Sequence, residues 1–323
     1  MPPTSQANAR PGIPALPASA ARSARTPRRW RPSRQTAGLL YAAPTAVIVA
    51  VFFLVPLALV AWMSLHEWPL IGEPTLNAPA NYTGIADNPL FGDAVLFTLK
   101  YTILVTVVLF GAAFGLALLV QRPRFGVGVF RTAFFLPGAV GFATASLLFY
   151  GLLSRDVGPL NPILTALGIL DHPVSFVGGT ANLALGSSIG LVVWRFAGFN
   201  MLILLTGLQA IPDDLYEAAT VDGAGRWPQF CHITLPLMRP TIALVLILMI
   251  TGSLLAFDQF YILTNGGPDN STTSIVMVIV REAFTRFDLG SAAAVSVVVL
   301  AALIVLNTVQ LRVLRRGDRP EDR

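Results

Sequence analysis

Groups able to make a directed polar contact are scarce in this chain, and the densest set lies at 209–237. The run opens Gln209-Ala210-Ile211-Pro212-Asp213-Asp214-Leu215-Tyr216-Glu217-Ala218-Ala219-Thr220-Val221-Asp222-Gly223-Ala224-Gly225. Pro212 suits the first turn of a helix, where its missing N–H is not needed. Asp213 and Asp214 then sit at the positive end of the helix dipole. Leu215, Ala218 and Ala219 share one face, at helical spacing, and that face is made of small residues. Gly223 and Gly225 stop the helix. Glu217 projects from its middle. Such a helix is suited to non-covalent docking, with a small-residue face that enters a groove and one carboxylate that makes a charged contact. An amphipathic helix resting on lipid headgroups fits the same pattern.

A second set of polar groups lies within apolar stretches. Arg195, flanked by Trp194 and Asn200, falls about twelve residues into a span, roughly 18 Å from its end. A cation at that depth costs several kcal/mol, of order 3, unless it faces a polar interior. Two roles are open to it: a residue of a solute path, or a structural partner to a carboxylate or to carbonyls. Asp258 lies near the outer end of the next span, which runs the opposite way. The two depths differ by roughly 12 Å, so direct pairing requires a break in a helix. Asn200, Gln259 and Tyr261 carry amide and amphipathic groups of the kind that bind hydroxyls and ring faces. Helix–helix hydrogen bonding is the plainer role for each of them.

The elements that must position these groups are membrane helices. Hydrophobic residues make up 54% of the 323 and charged residues only 12%, half the charged share of about 25% usual in soluble domains. Mean hydropathy is +0.67. Apolar stretches long enough to cross a bilayer fall at 38–65, 94–120, 132–153, 183–208, 238–263 and 290–312, which predicts an all-α fold with six spans. Pro44, Pro56 and Pro137 lie inside these spans or near their ends, where neighbouring helices can re-satisfy the backbone. The loop at 66–93 reads as an irregular cap, and 269–289 as holding a short surface helix with Phe284 and Phe287 at the interface. With the N-terminus inside, seventeen Lys+Arg fall on the inner side and three on the outer. Both termini are therefore expected in the cytosol. The chain divides into a disordered cationic tail (1–36), a six-span transmembrane domain (37–312) with the 209–237 loop on its cytosolic side, and a cytosolic C-terminal tail (313–323). The run Pro27-Arg28-Arg29-Trp30-Arg31 reads as the positive flank of the first span rather than as an export signal.

Several function classes are excluded or lack support. The only lysine is Lys100, preceded by Leu99, so a phosphate-binding Gly-Lys-Ser/Thr loop cannot form and the chain cannot cradle ATP that way. No zinc-protease or nucleophile-elbow signature is present, and no catalytic residue or cofactor is expected. His66, His172 and His232 have no ligand spacing, and no metal is expected. The single cysteine, Cys231, allows no internal disulfide. The net charge of +5 sits in tails and short loops, as membrane orientation requires, and not in a nucleic-acid stripe.

The spacing Glu217-Ala218-Ala219, three residues, Gly223, nine residues, Ile233, one residue, Leu235-Pro236 resembles the EAA loop of binding-protein-dependent ABC importer permeases. It also lies where that family carries it, between two late spans. The run Phe257-Asp258-Gln259-Phe260-Tyr261-Ile262-Leu263-Thr264-Asn265-Gly266-Gly267-Pro268, followed by Thr272-Thr273, is similar to the carbohydrate branch, which includes maltose, glycerol-3-phosphate and oligosaccharide permeases, and to their first permease subunit. The resemblance covers 38–312. It implies a type I importer permease fold in which Glu217, Ala218, Ala219 and Gly223 couple to an ATPase. It also implies a second permease as heterodimer partner, two ATP-binding-cassette subunits, an extracytoplasmic solute-binding protein and surrounding lipid, with no nucleic acid. Arg195, Asn200, Asp258, Gln259 and Tyr261 are the expected path residues. An ion-gradient-driven transporter is the alternative, which paired intramembrane carboxylates and inverted repeats would favour. An importer of a non-sugar solute is another.

Overall fold

The computed structural model describes residues 34–122 and 124–317. The expected tail up to residue 33, including the Arg28-Arg29 run, lies outside the described residues, as do 318–323. Two compact units divide at Leu54. The first contains α1 (Arg34–Val49) and a π-helical turn (Ala50–Leu54). Everything that follows belongs to the second.

Every long element is helical. α2 (Val55–Met63) ends the first apolar stretch. A two-residue antiparallel pair, β1 (His66–Glu67) with β2 (Thr75–Leu76), and the short α3 (Ala80–Ala86) give the cap at 66–93 more order than its proline-rich composition predicts. α4 (Pro89–Val120) starts five residues earlier than expected because Asn88 caps it, accepting from the Leu90 N–H at 3.0 Å, and Pro89 occupies the first turn. After the short α7 (Leu160–Ala166), α8 (Ala181–Gln209) is likewise capped, by Thr180. α14 (Leu289–Gly317) closes the described chain.

Four segments are unbroken and apolar enough to cross a membrane: Tyr41–Met63, Pro89–Val120, Ala181–Gln209 and Leu289–Arg312. The other two expected spans are bent pairs. α5 (Val127–Phe135) with a 3-10 turn (Leu136–Ala139) meets α6 (Phe142–Leu153) at 97°. The helical stretch Arg226–Leu237 meets α12 (Arg239–Leu254) at 67°. Counted as one span each, they make six. The local causes are in the sequence. Pro137, Gly138 and Gly141 interrupt the first pair, and Pro240 has no N–H to offer the Pro236 carbonyl at the second.

The core lies between α4, α8 and α12. Tyr101, Val105, Leu109, Ala113 and Ala117 repeat every four residues down one face of α4 and are buried against Leu191, Met201, Leu204 and Leu208 of α8 and against Met238, Val245 and Met249. Alanine at 113 and 117 lets the backbones approach, which is how helices associate where lipid offers no hydrophobic gain. Gly198 is the tightest such point: a Cβ there would fall on the Phe134 carbonyl. A second cluster, Ile85, Ile275, Ala294, Val295 and Val299, joins α3, α13 (Ile275–Phe284) and α14. α13 is the short helix expected in 269–289, with Phe284 and Phe287 exposed.

Candidate functional site

Two places gather polar groups: a cavity inside the bundle and the 209–237 loop at one end of it.

The cavity depends on two carbonyls that lack a helical donor, one at the 97° break and one past the end of α12. A carbonyl without an i+4 donor is costly in hydrocarbon and needs another partner. At the 97° break, Val140 O is met by Arg195 Nε at 3.0 Å. The guanidinium also lies over the rings of Phe142 and Phe196, 4.9 and 4.4 Å from their centroids, a geometry that stabilises a cation away from water. Beyond the end of α12, Ala256 O accepts from Ser274 Oγ at 2.6 Å. Ser274 in turn caps α13, and Thr98 Oγ1 of α4 accepts from the Ile275 N–H at 3.0 Å.

Between these braces is a cavity of about 360 Å³. Phe142, Phe196, Phe199 and Phe257 form apolar walls, and Asn200, Ser253, Asp258 and Gln259 provide polar lining. Asn200 Nδ2 donates to Phe196 O at 2.9 Å, leaving its carbonyl oxygen open. Gln259 Nε2 donates to Tyr101 Oη at 3.0 Å, and Gln259 Oε1 is buried without a partner. Asn200 and Asp258 therefore offer acceptors beside aromatic faces, a combination suited to a hydroxyl-rich solute.

Of the five expected path residues, Asn200, Asp258 and Gln259 line this one cavity. Arg195 packs behind its Phe142–Phe196 wall. Tyr261 is half exposed, stacks on Phe257 at 5.0 Å and stays out of the lining. The helix break that Arg195 and Asp258 would need is present, since α12 stops at Leu254. Yet among the described residues no ion pair within 4.0 Å joins them; Arg195 has a carbonyl and two rings instead. Sequence reasoning missed Tyr101, Phe142, Phe196 and Phe199. Their apolar periodicity marks them only as core, and nothing in one sequence marks a cavity wall.

The loop folds as a braced helical hairpin. α9 (Asp213–Val221) begins just after Pro212, with both aspartates in its first turn. It ends through Gly223 at φ +79°, with Ala224 N donating to Ala219 O at 2.8 Å and Gly223 N to Thr220 O at 3.0 Å. These two bonds form a Schellman motif, in which the left-handed residue favours glycine. α10 (Arg226–Gln229), a π-helical turn (Phe230–Thr234) and α11 (Leu235–Leu237) return to the bundle. Tyr216 Oη bonds Thr234 Oγ1 at 2.8 Å, and Gln229 Nε2 donates to Thr220 Oγ1 and Ala224 O, each at 3.0 Å. α9 thus presents Tyr216 to its own hairpin. Glu217 and Ala218 face solvent, Ala219 is half-buried, and exposed Leu215, Val221 and Trp227 surround them.

The hairpin packs beside the ends of α4 and α8. A cleft of about 570 Å³ between them is lined by Gln121, Arg122, Gln209, Asp213, Tyr216 and Arg226, among others. Two of the segments counted as arginine-bearing inner loops therefore meet at one end of the bundle.

Comparison with known proteins adds three findings. The family described as "Binding-protein-dependent transport system inner membrane component" matches residues 108–319. The sulfoquinovosyl glycerol transport system permease protein of Agrobacterium fabrum is 32% identical over 286 residues, 87% of this chain and 91% of the relative. The trehalose/maltose transport system permease protein of Thermococcus litoralis is 32% identical over 282 residues, 86% of this chain and 93% of the relative. In fold, the chain is similar to a chain of a bacterial ABC transporter that imports alginate, with a TM-score of 0.76 at 24% identity, covering 88% of this chain and 98% of that one.

Proposed function

The chain belongs to the family of binding-protein-dependent transport system inner membrane components, and from that premise we propose that it forms, with a second permease, the path by which an ATP-driven importer admits a saccharide or related solute. It is a multi-pass, non-catalytic permease component of an ABC importer.

The proposed complex adds two ATP-binding-cassette subunits at the 209–237 end and a solute-binding protein at the opposite end. We read that end as cytosolic, because Arg122, Arg124 and Arg226 lie between the spans there and Arg131 and Arg239 near the span ends. The observation that carries the coupling reading is α9. It is held to its own hairpin by Tyr216 and Gln229 and offers Glu217 and Ala218 to solvent. A helix braced in this way can transmit a push without bending. Glu217, Ala218, Ala219 and Gly223 are its proposed docking residues.

The saccharide reading is supported by the substrates for which the two relatives are named and by the cavity's aromatic walls and polar lining. Asn200, Asp258 and Gln259 are the proposed solute contacts, with Arg195 supporting the wall. Tyr261 is the weakest of the expected set, as it lies outside the lining.

Reconstitution in vesicles tests this function. Uptake of saccharide should require this chain, the second permease, the ATPase, the binding protein and ATP together. Uptake by this chain alone, driven by an ion gradient, would overturn it.

A further inference from the structure

Where α4 leaves the apolar region, three arginines line one cleft, and none has a side-chain partner among the described residues. Arg122, Arg124 and Arg226 line a cleft of about 290 Å³ with Leu118, Leu119 and Gln121. Among the described residues the only ion pair within 4.0 Å is Arg286–Glu282, so none of the three is paired with a carboxylate. The nearby Asp213 lines the adjoining cleft with Arg122 and Arg226. Arg131 differs from them: its Nη2 donates to Val120 O at 2.6 Å and closes the last turn of α4.

The surroundings are those of a bilayer edge. Leu119, Phe125 and Trp227 are largely exposed beside the arginines. Aromatic rings next to basic residues at the end of an apolar span mark the headgroup level. Arginine forks match phosphate oxygens bidentately, and the apolar rim suits acyl chains.

We propose that Arg122, Arg124 and Arg226 bind the phosphate of an anionic phospholipid, which bridges the end of α4 to the coupling hairpin. Arg226 is the first residue of α10, directly after the Gly223–Gly225 exit of α9. A phosphate held by all three arginines therefore fixes the hairpin to the bundle where a pull on α9 would otherwise be lost. The lipid site stands apart from the proposed function; only its consequence for coupling rests on that reading.

The test uses the purified full complex in nanodiscs of phosphatidylcholine with increasing phosphatidylglycerol. Phosphatidylglycerol retained after detergent washing is measured by mass spectrometry. Wild type should bind it saturably. An arginine near an anionic surface contributes about fivefold in affinity, so Arg122→Gln, Arg124→Gln and Arg226→Gln combined should weaken retention about a hundredfold. The lysine triple variant keeps the charge but not the fork, and should fall between the two.

Non-saturable binding by wild type, a result that needs no variant, would overturn the site. So would a glutamine triple variant that retains the lipid while losing the ATPase, because the cleft would then be a protein-docking surface. Displacement by excess inorganic phosphate would identify a free anion, not a lipid, as the ligand. Loss of lipid with transport intact would leave the proposed function standing and remove only the bracing role.

Discussion

Arg195 Nε donates to the carbonyl oxygen of Val140 at 3.0 Å, where the third span turns through 97°. A cation in a membrane helix is therefore matched to a carbonyl that the break deprives of its helical donor. The two irregularities are expensive separately and compatible together.

Removal of Arg195 should consequently act first on folding. Arg195→Ala leaves Val140 O without its donor, a loss of about 1–3 kcal/mol, and strips the cation from Phe142 and Phe196. The expected outcome is less monodisperse complex by size-exclusion chromatography and a lower melting temperature. Full assembly with impaired uptake would instead make Arg195 a path residue, and normal assembly with normal uptake would contradict both roles.

Gly198 should be intolerant of any side chain. Its added Cβ would meet the Phe134 carbonyl, whereas one at Gly190 on the same helix would meet nothing within 4 Å. Gly198→Ala should destabilise by about 1–3 kcal/mol through overpacking. Gly190→Ala should be near neutral or slightly stabilising, since alanine is the better helix former. Thermal denaturation of the two variants side by side decides it; equal melting temperatures would contradict the close approach of α5 to α8.

Glu282 gives a pH prediction. Burial pushes its carboxyl above the ordinary value of 4.5; Arg286 opposes this by charge and by the 2.7 Å bond that it donates, and Asp288 adds to the rise. The folded state then holds the proton more tightly than the unfolded state does. This contribution to stability is therefore greatest at low pH and declines as pH rises from about 4.5 through the raised folded value. Amide exchange in α13, corrected for intrinsic rates, should show protection falling over that window. Glu282→Gln should flatten the dependence, and an unchanged profile in that variant would contradict the assignment.

The fold was legible in the sequence to the extent that hydrophobicity alone decides it. Six apolar stretches led to four unbroken and two bent spans, and the chain has the family and the fold that the resemblance implied. The positive φ of Gly223 was readable as a helix stop because few other residues accept it. The bends were not readable as bends. Pro137 and Pro240 stood in view, but whether a proline kinks, ends or merely enters a span depends on which neighbour takes the freed carbonyl. At the first bend that neighbour is Arg195, which takes the Val140 carbonyl from 55 residues away. The cavity was half legible: its amides and carboxylate stood out in apolar stretches, while its phenylalanine walls looked like any other core.

The most direct test of the account is made on α9. Glu217 is exposed and joins no ion pair within 4.0 Å among the described residues, so its reversal should cost the permease itself little. At a docking cleft, Glu217→Lys would exchange an attraction for a repulsion worth about 1–3 kcal/mol. Gly223→Pro fixes φ near −65° where the backbone sits at +79° and removes the N–H that bonds Thr220 O. The measurement is co-purification of the ATPase with each variant, together with substrate-stimulated ATP hydrolysis in vesicles. The account predicts inserted permease that has lost the ATPase or its stimulation in both variants. Retention of the ATPase with full stimulation in both would contradict it.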